Sequence, residues 1–195
     1  MVDLYSGLGG ASEAFYRSAD WEVLRIENNE ELLGFVPNTW FHDVPELLNA
    51  NKWRAVQGSP TLLWASPPCT DFSQGYNAPG PKAKREGVVF NPDMTLIQAA
   101  IDLRELWKPK FWCFENVIGA IPYFEPLLGE PTQIVGPFVL WHNLPHLVLP
   151  EGFQTESKIP ISGGALRANL RGKIPLELSE AVMEAASLPT LEDYL

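Results

Sequence analysis

Cys69 follows two prolines in the stretch Ala65-Ser66-Pro67-Pro68-Cys69-Thr70-Asp71-Phe72-Ser73. The apolar run Thr61-Leu62-Leu63-Trp64-Ala65 before it has the composition of a buried strand, and the prolines end that strand. A cysteine on a stiff turn at a strand's carboxyl end stands where an open α/β sheet presents chemistry. It reads either as an inert structural thiol or as a nucleophile whose pKa the site lowers. Near the amino terminus, Asp3 closes a short apolar stretch before Ser6-Gly7-Leu8-Gly9-Gly10. Such a turn lets a ligand approach the backbone with a helix N-terminus behind it. Glu27 stands about 20 residues on, where a ribose-hydroxyl acceptor is expected in such a fold. Glu115 follows an apolar run directly, so its carboxyl reads as an acid of raised pKa or as a helix-start carboxylate. Asn116 reads as an amide that fixes its loop. Cys113, inside Phe111-Trp112-Cys113-Phe114, reads as core. The three histidines are scattered, and no Cys/His cluster has metal-ligand spacing, so no zinc is expected.

Positioning these groups requires strands alternating with helices. Strands are expected at 1–4, 21–26, 40–41, 61–65, 111–114 and 138–141. Helices are expected at 11–19, 30–35, 45–52, 93–107 and 176–187. In the helix over 93–107, Met94, Ile97, Ile101, Leu103 and Leu106 should share a face. Residues 73–92 contain three glycines and three prolines and read as a long loop without regular structure, of the kind that forms lids. Residues 150–172 read as a crossing loop. The alternation predicts an α/β fold: a mostly parallel, doubly wound sheet with helices on both faces. The strand ends carrying Asp3, Glu27, Asp43, Cys69 and Glu115 should then line one crevice.

The chain has 195 residues, enough for one domain with a sizeable core. No apolar run approaches the ~20 residues of a membrane helix, and structure is expected to begin almost at Met1, with no signal peptide before the first strand. Two cysteines do not make a disulfide scaffold, so a reducing, cytoplasmic setting is expected. The net charge of −10 is the wrong sign for a nucleic-acid binder, but Lys82, Lys84 and Arg85 cluster after the cysteine. Arg167, Arg171 and Lys173 form a second group.

In this order, the motifs resemble the DNA (cytosine-5)-methyltransferase family. Asp3-Leu4-Tyr5-Ser6-Gly7-Leu8-Gly9-Gly10 is similar to its cofactor motif, Pro68-Cys69-Thr70-Asp71-Phe72-Ser73 to its catalytic motif with Thr70 in place of glutamine, and Glu115-Asn116-Val117 to its Glu-Asn-Val motif. The resemblance covers residues 1–121. It implies a Rossmann-like fold binding S-adenosylmethionine. Ser6, Gly7, Leu8, Gly9 and Gly10 would lie along the methionine part, Glu27 would take the ribose hydroxyls and Asp43 would face the adenine amine. Asp3, Asn28, Val44 and Pro67 would be further cofactor contacts. Cys69, carried by Pro68, would attack carbon 6 of a flipped cytosine, with Glu115 and Asn116 beside it. Ser73, Lys82, Lys84 and Arg85 would belong to a lid over the DNA.

The chain also departs from the family. Pro131-Thr132-Gln133-Ile134-Val135-Gly136 holds no arginine where a Gln-x-Arg-x-Arg motif is expected; Arg167 or Arg171 would supply that cation. Residues 142–172 are too few for a target-recognition domain. Lys173-Ile174-Pro175 with Leu178 to Val182 faintly resembles the closing motif that returns beside the cofactor, without its Gly-Asn pair. The expectation is a single catalytic domain over 1–195, of the compact kind that phages or viruses carry. It would methylate cytosine in DNA and either have a short or relaxed sequence preference or borrow recognition from a partner protein. The alternatives are a catalytically idle cofactor-binding module and an enzyme acting on RNA or a free nucleotide.

Overall fold

The computed structural model describes residues 1–154 and 166–189. In chain order its elements are β1 (Val2–Leu4), α1 (Glu13–Arg17), β2 (Leu24–Glu27), β3 (Thr39–Phe41), α2 (Val44–Asn49), β4 (Leu62–Ala65), α3 (Pro79–Glu86), α4 (Thr95–Trp107), β5 (Phe111–Asn116), α5 (Ile121–Leu128), β6 (Gln133–Val135), β7 (Phe138–His142), α6 (Arg167–Gly172) and α7 (Leu176–Ser187). Short 3-10 turns occupy Glu30–Leu32, Lys52–Ala55, Thr70–Phe72 and Ile118–Ala120.

The strands form one sheet in the order β3-β2-β1-β4-β5-β7-β6. The first five are parallel; β7 runs antiparallel to β5, and β6 antiparallel to β7. The chain moves outward from β1 to β3 and then returns to place β4 on β1's other side. The crevice between the ends of β1 and β4 is therefore the switch point at which such sheets bind ligands.

Apolar residues cover both faces of the sheet. On one face, Trp64, Phe111, Cys113 and Leu140 meet Phe15 of α1 and Leu178 and Val182 of α7. On the other, Leu4, Leu63, Ala65 and Phe114 meet Leu47 of α2, Ile97 and Leu103 of α4 and Phe124 of α5. Every residue of β4 is fully buried, so its run of unbroken hydrophobicity belongs to a central strand. Among the described residues no helix is long and apolar enough to cross a membrane.

Several expected elements differ in extent. The loop at 73–92 contains α3, because Pro79 sits in the first turn, where no backbone donor is lost, and Gly87 closes the helix in a left-handed conformation. α5 and β6 were not expected. Pro122 and Pro126 conceal the helix, and β6 is only three residues long, joined to β7 by Gly136-Pro137. α1 is shorter than 11–19, since the glycine turn runs through Ser12. The segment at 30–35 is a single 3-10 turn capped by Asn29. In α4 it is Trp107 that is buried and Leu106 that is exposed. The expected crossing loop ends in α6; its residues 155–165 lie outside those described.

Candidate active site

Parallel register places Asp3 opposite both Arg25 and Trp64. Trp64 in turn faces Cys113, so strand alternation puts Ser66 and Glu115 on this same side, just beyond the paired residues. Glu115 is buried, and Ser66 hydrogen-bonds its carboxyl group. Trp64 Nε1 donates to Ser66 Oγ at 2.6 Å. Burial raises the Glu115 pKa from 4.5 to about 7, with only the Ser66 bond opposing the rise. The group therefore titrates near neutrality, as suits an acid or a donor to a developing charge.

Cys69 begins the 3-10 turn Thr70–Phe72, and Phe72 N donates to Cys69 O at 3.1 Å. The residue is open to solvent along one side, while protein atoms crowd its sulfur. Burial first, then the charge of Glu115, pushes the thiol up. A site that lowers the pKa is thus not what surrounds Cys69 in this state. The same dependence places Glu115 within electrostatic reach of the sulfur. Pro67 is buried, and Asn116 Nδ2 donates to Pro67 O at 2.9 Å while Asn116 Oδ1 accepts from Val117 N at 2.9 Å. Asn116 is thereby a staple between the cysteine turn and β5. A cavity of about 160 Å³ lies beside Pro67, Pro68, Thr70 and Phe72, walled by Leu96 and Ile97 of α4. Cys113 is fully buried in the core.

On the other side of the switch point, Ser6 N donates to Ile26 O at 3.1 Å and Gly9 N to Ser6 O at 2.7 Å, which curls the glycine turn over β2. Gly9 has φ +68°, and a side chain there would meet Val36 at 2.8 Å and the Arg25 guanidinium at 2.9 Å. Leu8 is half-buried in the turn. Gly10 accommodates the closing segment: a Cβ on it would lie 2.5 Å from Ile174 O. Lys173 also pairs with Glu13 at 2.8 Å, and Ser179 Oγ donates to Ala11 O at 2.7 Å. The closing segment thus packs against the glycine turn.

Glu27 Oε2 accepts from Gly7 N at 2.7 Å, and its Oε1 accepts from Asn28 N and Asn29 N at 3.0 and 2.9 Å. A carboxylate offers about four acceptor positions. One on Oε2 therefore stays free for a hydroxyl donor. Gly7 faces open space. Two buried oxygens near this turn have no hydrogen-bond partner among the described residues, Ser6 Oγ and Asp3 Oδ1. Asp3 Oδ2 accepts from Ser12 Oγ at 2.6 Å, Arg25 Nε donates to Ser12 Oγ at 2.8 Å, and burial raises Asp3 from 3.8 to about 7. An acceptor for a hydroxyl, an open backbone approach and unpartnered buried oxygens suit a polar, hydroxyl-bearing cofactor.

Asp43 caps α2, accepting from Glu46 N at 3.1 Å, and its other oxygen accepts from Asn28 Nδ2 at 3.1 Å. Val44 is packed into the core behind it. Helix α3 contacts the Thr70–Phe72 turn. Lys82, Lys84 and Arg85 are exposed on it, the Arg85 guanidinium stacking over Tyr76 at 3.9 Å. Ser73 Oγ accepts from Gly75 N at 3.2 Å in the stretch before α3. Arg171 is exposed near the end of α6, and no described bond ties it to Cys69 or Glu115; the Arg167 side chain lies outside those described.

Sequence reasoning missed Ser66, Ser12 and Arg25. Arg25, a charge inside an apolar strand, was the available signal.

Residues 1–122 match the family described as C-5 cytosine-specific DNA methylase. Type II methyltransferase M.HindV of Haemophilus influenzae is 31% identical over 120 residues, which are 60% of this chain and 36% of that protein. The chain therefore spans about a third of that relative's length. A solved structure from E. coli, described as a DNA modification methyltransferase encoded within a prophage, aligns at 19% identity with a TM-score of 0.44. It covers 64% of this chain and 34% of that one.

Proposed function

The chain belongs to the C-5 cytosine-specific DNA methylase family, and from that premise we propose that it methylates carbon 5 of cytosine in DNA through a covalent adduct at Cys69. The observation that carries this reading is the 2.9 Å hydrogen bond from Asn116 Nδ2 to Pro67 O, which ties the Cys69 turn to the strand end bearing the buried carboxyl of Glu115. S-Adenosylmethionine, when bound, supplies an electrophilic methyl group. Glu27 would accept from its ribose hydroxyls, the backbone from Ser6 to Gly10 and the carboxyl of Asp3 would receive its polar end, and Asp43 would face its base.

A cytosine within a duplex is out of reach of Cys69, so the base must leave the stack, at a few kcal/mol. In this reading Lys82, Lys84 and Arg85 bind phosphate while α3 closes over the extruded base. The Cys69 sulfur, once deprotonated, forms a bond to carbon 6. Glu115, protonated over much of the neutral range, donates to ring nitrogen 3 and takes up the charge that the attack generates. Electron density reaches carbon 5, which would take the methyl group as its bond to the donor sulfur breaks, leaving S-adenosylhomocysteine. Loss of the carbon-5 proton then re-forms the 5,6 double bond and expels the Cys69 thiolate. Residues 1–195 would supply the catalytic part of the reaction.

DNA containing 5-fluorocytosine tests this, because the fluorine cannot leave as a proton does. With the methyl donor present the wild type should form a stable adduct, and Cys69→Ser should form none. Absence of an adduct from wild-type protein that binds its cofactor would sink the proposal. That result would favour the second reading, an idle cofactor-binding module, which the raised thiol pKa and the net charge of −10 support.

A further inference from the structure

The chain segment that carries Cys69 is fastened at both ends to the segment that carries Glu115. Upstream the fastening is the Asn116–Pro67 hydrogen bond at 2.9 Å. Downstream it is a packing contact. The Phe72 ring is 5% exposed and meets Phe124 edge-on at 5.0 Å and Tyr123 at 5.8 Å. At the same residue, the backbone of Gly119 lies against the Phe72 carbonyl. A Cβ on Gly119 would stand 2.0 Å from Phe72 O and 3.2 Å from Gln74 Cγ. Gly119 is not among the residues of positive φ, so alanine is conformationally acceptable there. What excludes a side chain is the neighbouring backbone. Cys69 lies two residues after the first fastening and three before the second.

We propose that Gly119 is a positioning residue: its bare backbone lets the turn after β5 seat directly under Phe72, and that seat sets the place of Cys69 against Glu115. The inference deepens the methyltransferase reading and rests on it for its catalytic consequence. Its geometric content stands without it. Contacts of a real Cβ are essentially never under 3.0 Å, so Gly119→Ala must open the 2.0 Å gap by about 1 Å or more. A misplacement of that size at a reacting group can lower a rate about 100-fold.

The test uses the full chain carrying Gly119→Ala, first checked for folding by circular dichroism and thermal unfolding. Iodoacetamide alkylation of Cys69 is followed against pH by mass spectrometry, which separates it from buried Cys113. Glu115 on β5 is the charged group that acts on the sulfur; Asp71 stands two residues on in the same turn, and Lys82, Lys84 and Arg85 lie on α3, which contacts that turn. Displacement from Glu115 and toward solvent should move the alkylation midpoint to lower pH. Adduct formation with 5-fluorocytosine DNA should slow by about 100-fold, with cofactor affinity within about twofold of wild type. A folded Gly119→Ala with both midpoint and adduct rate unchanged overturns the proposal. Should that variant not fold, Tyr123→Ala removes a half-exposed part of the same seat and should shift both readouts in the same direction by a smaller factor. No shift there overturns it equally. A wild type that alkylates but forms no adduct refutes the methylation reading instead, and the alkylation midpoint alone then decides the role of Gly119.

Discussion

Replacing Glu115 by glutamine should leave the protein nearly as stable as wild type in weak acid and more stable above neutrality. Glu115 is 8% exposed, and burial holds its pKa at about 7 against 4.5 for an ordinary glutamate. On unfolding, the carboxyl returns to its ordinary value. Between the two values the native state holds a proton that the unfolded chain has released, so stability falls as pH rises through this window. The loss is complete once the pH exceeds the folded value. A rise of this size corresponds to about 3 kcal/mol, a sizeable fraction of the ~5–15 kcal/mol that keeps a domain folded. Glutamine has nearly the same shape, can still accept from Ser66 and does not titrate. Asp3 shifts in the same direction, from 3.8 to about 7, but both proteins retain it. The difference between them therefore isolates Glu115. Urea unfolding followed by tryptophan fluorescence, at several pH values from about 5 to about 8, measures that difference. Glu115→Gln should gain on wild type by up to about 3 kcal/mol across the range. Parallel stability curves for the two proteins would refute the assignment of Glu115 as a desolvated carboxyl.

Two further substitutions address the cofactor side. Ser179 is 1% exposed; its Oγ donates to Ala11 O at 2.7 Å and accepts from Ala14 N at 3.1 Å. Ser179→Ala should leave both backbone groups unpartnered beneath α7 and lower unfolding stability by about 2 kcal/mol or more, and an unchanged urea midpoint would contradict that docking. Asp43→Ala removes the cap of α2 and should lower stability by about 1 kcal/mol, whereas Asp43→Asn should keep the cap. Calorimetric titration with S-adenosylhomocysteine should show weaker binding for both variants, and wild-type affinity in Asp43→Asn would remove Asp43 from the cofactor site.

Local signals in the chain were strong where a residue's own neighbours decide its structure. Leu176–Ser187 is helical over the expected residues, because Pro175 opens it and its apolar spacing is regular. β4 ends at Ala65, just before the prolines, and Cys113 is core because an apolar strand surrounds it. Signals failed where proline carried two meanings. Pro79 starts α3, and Pro122 and Pro126 lie in α5, although the same residue type ends β4. Asn116 was legible as a loop-fixing amide, but its partner, Pro67 O, is 49 residues away and left no trace in spacing.

By itself the sequence determined the alternation of strands and helices, the cysteine turn after β4, the glycine turn after β1 and the acidic strand ends. Each of these depends on a short stretch of chain and on the stereochemistry of proline, glycine and apolar spacing. Tertiary structure alone decided the rest. Strand order brought Glu115 beside Cys69, and burial then raised both groups. The closing segment seated on Gly10, and the turn after β5 seated under Phe72. A pKa and a close backbone contact depend on what lies across space, which only the packed sheet and its covering helices supply.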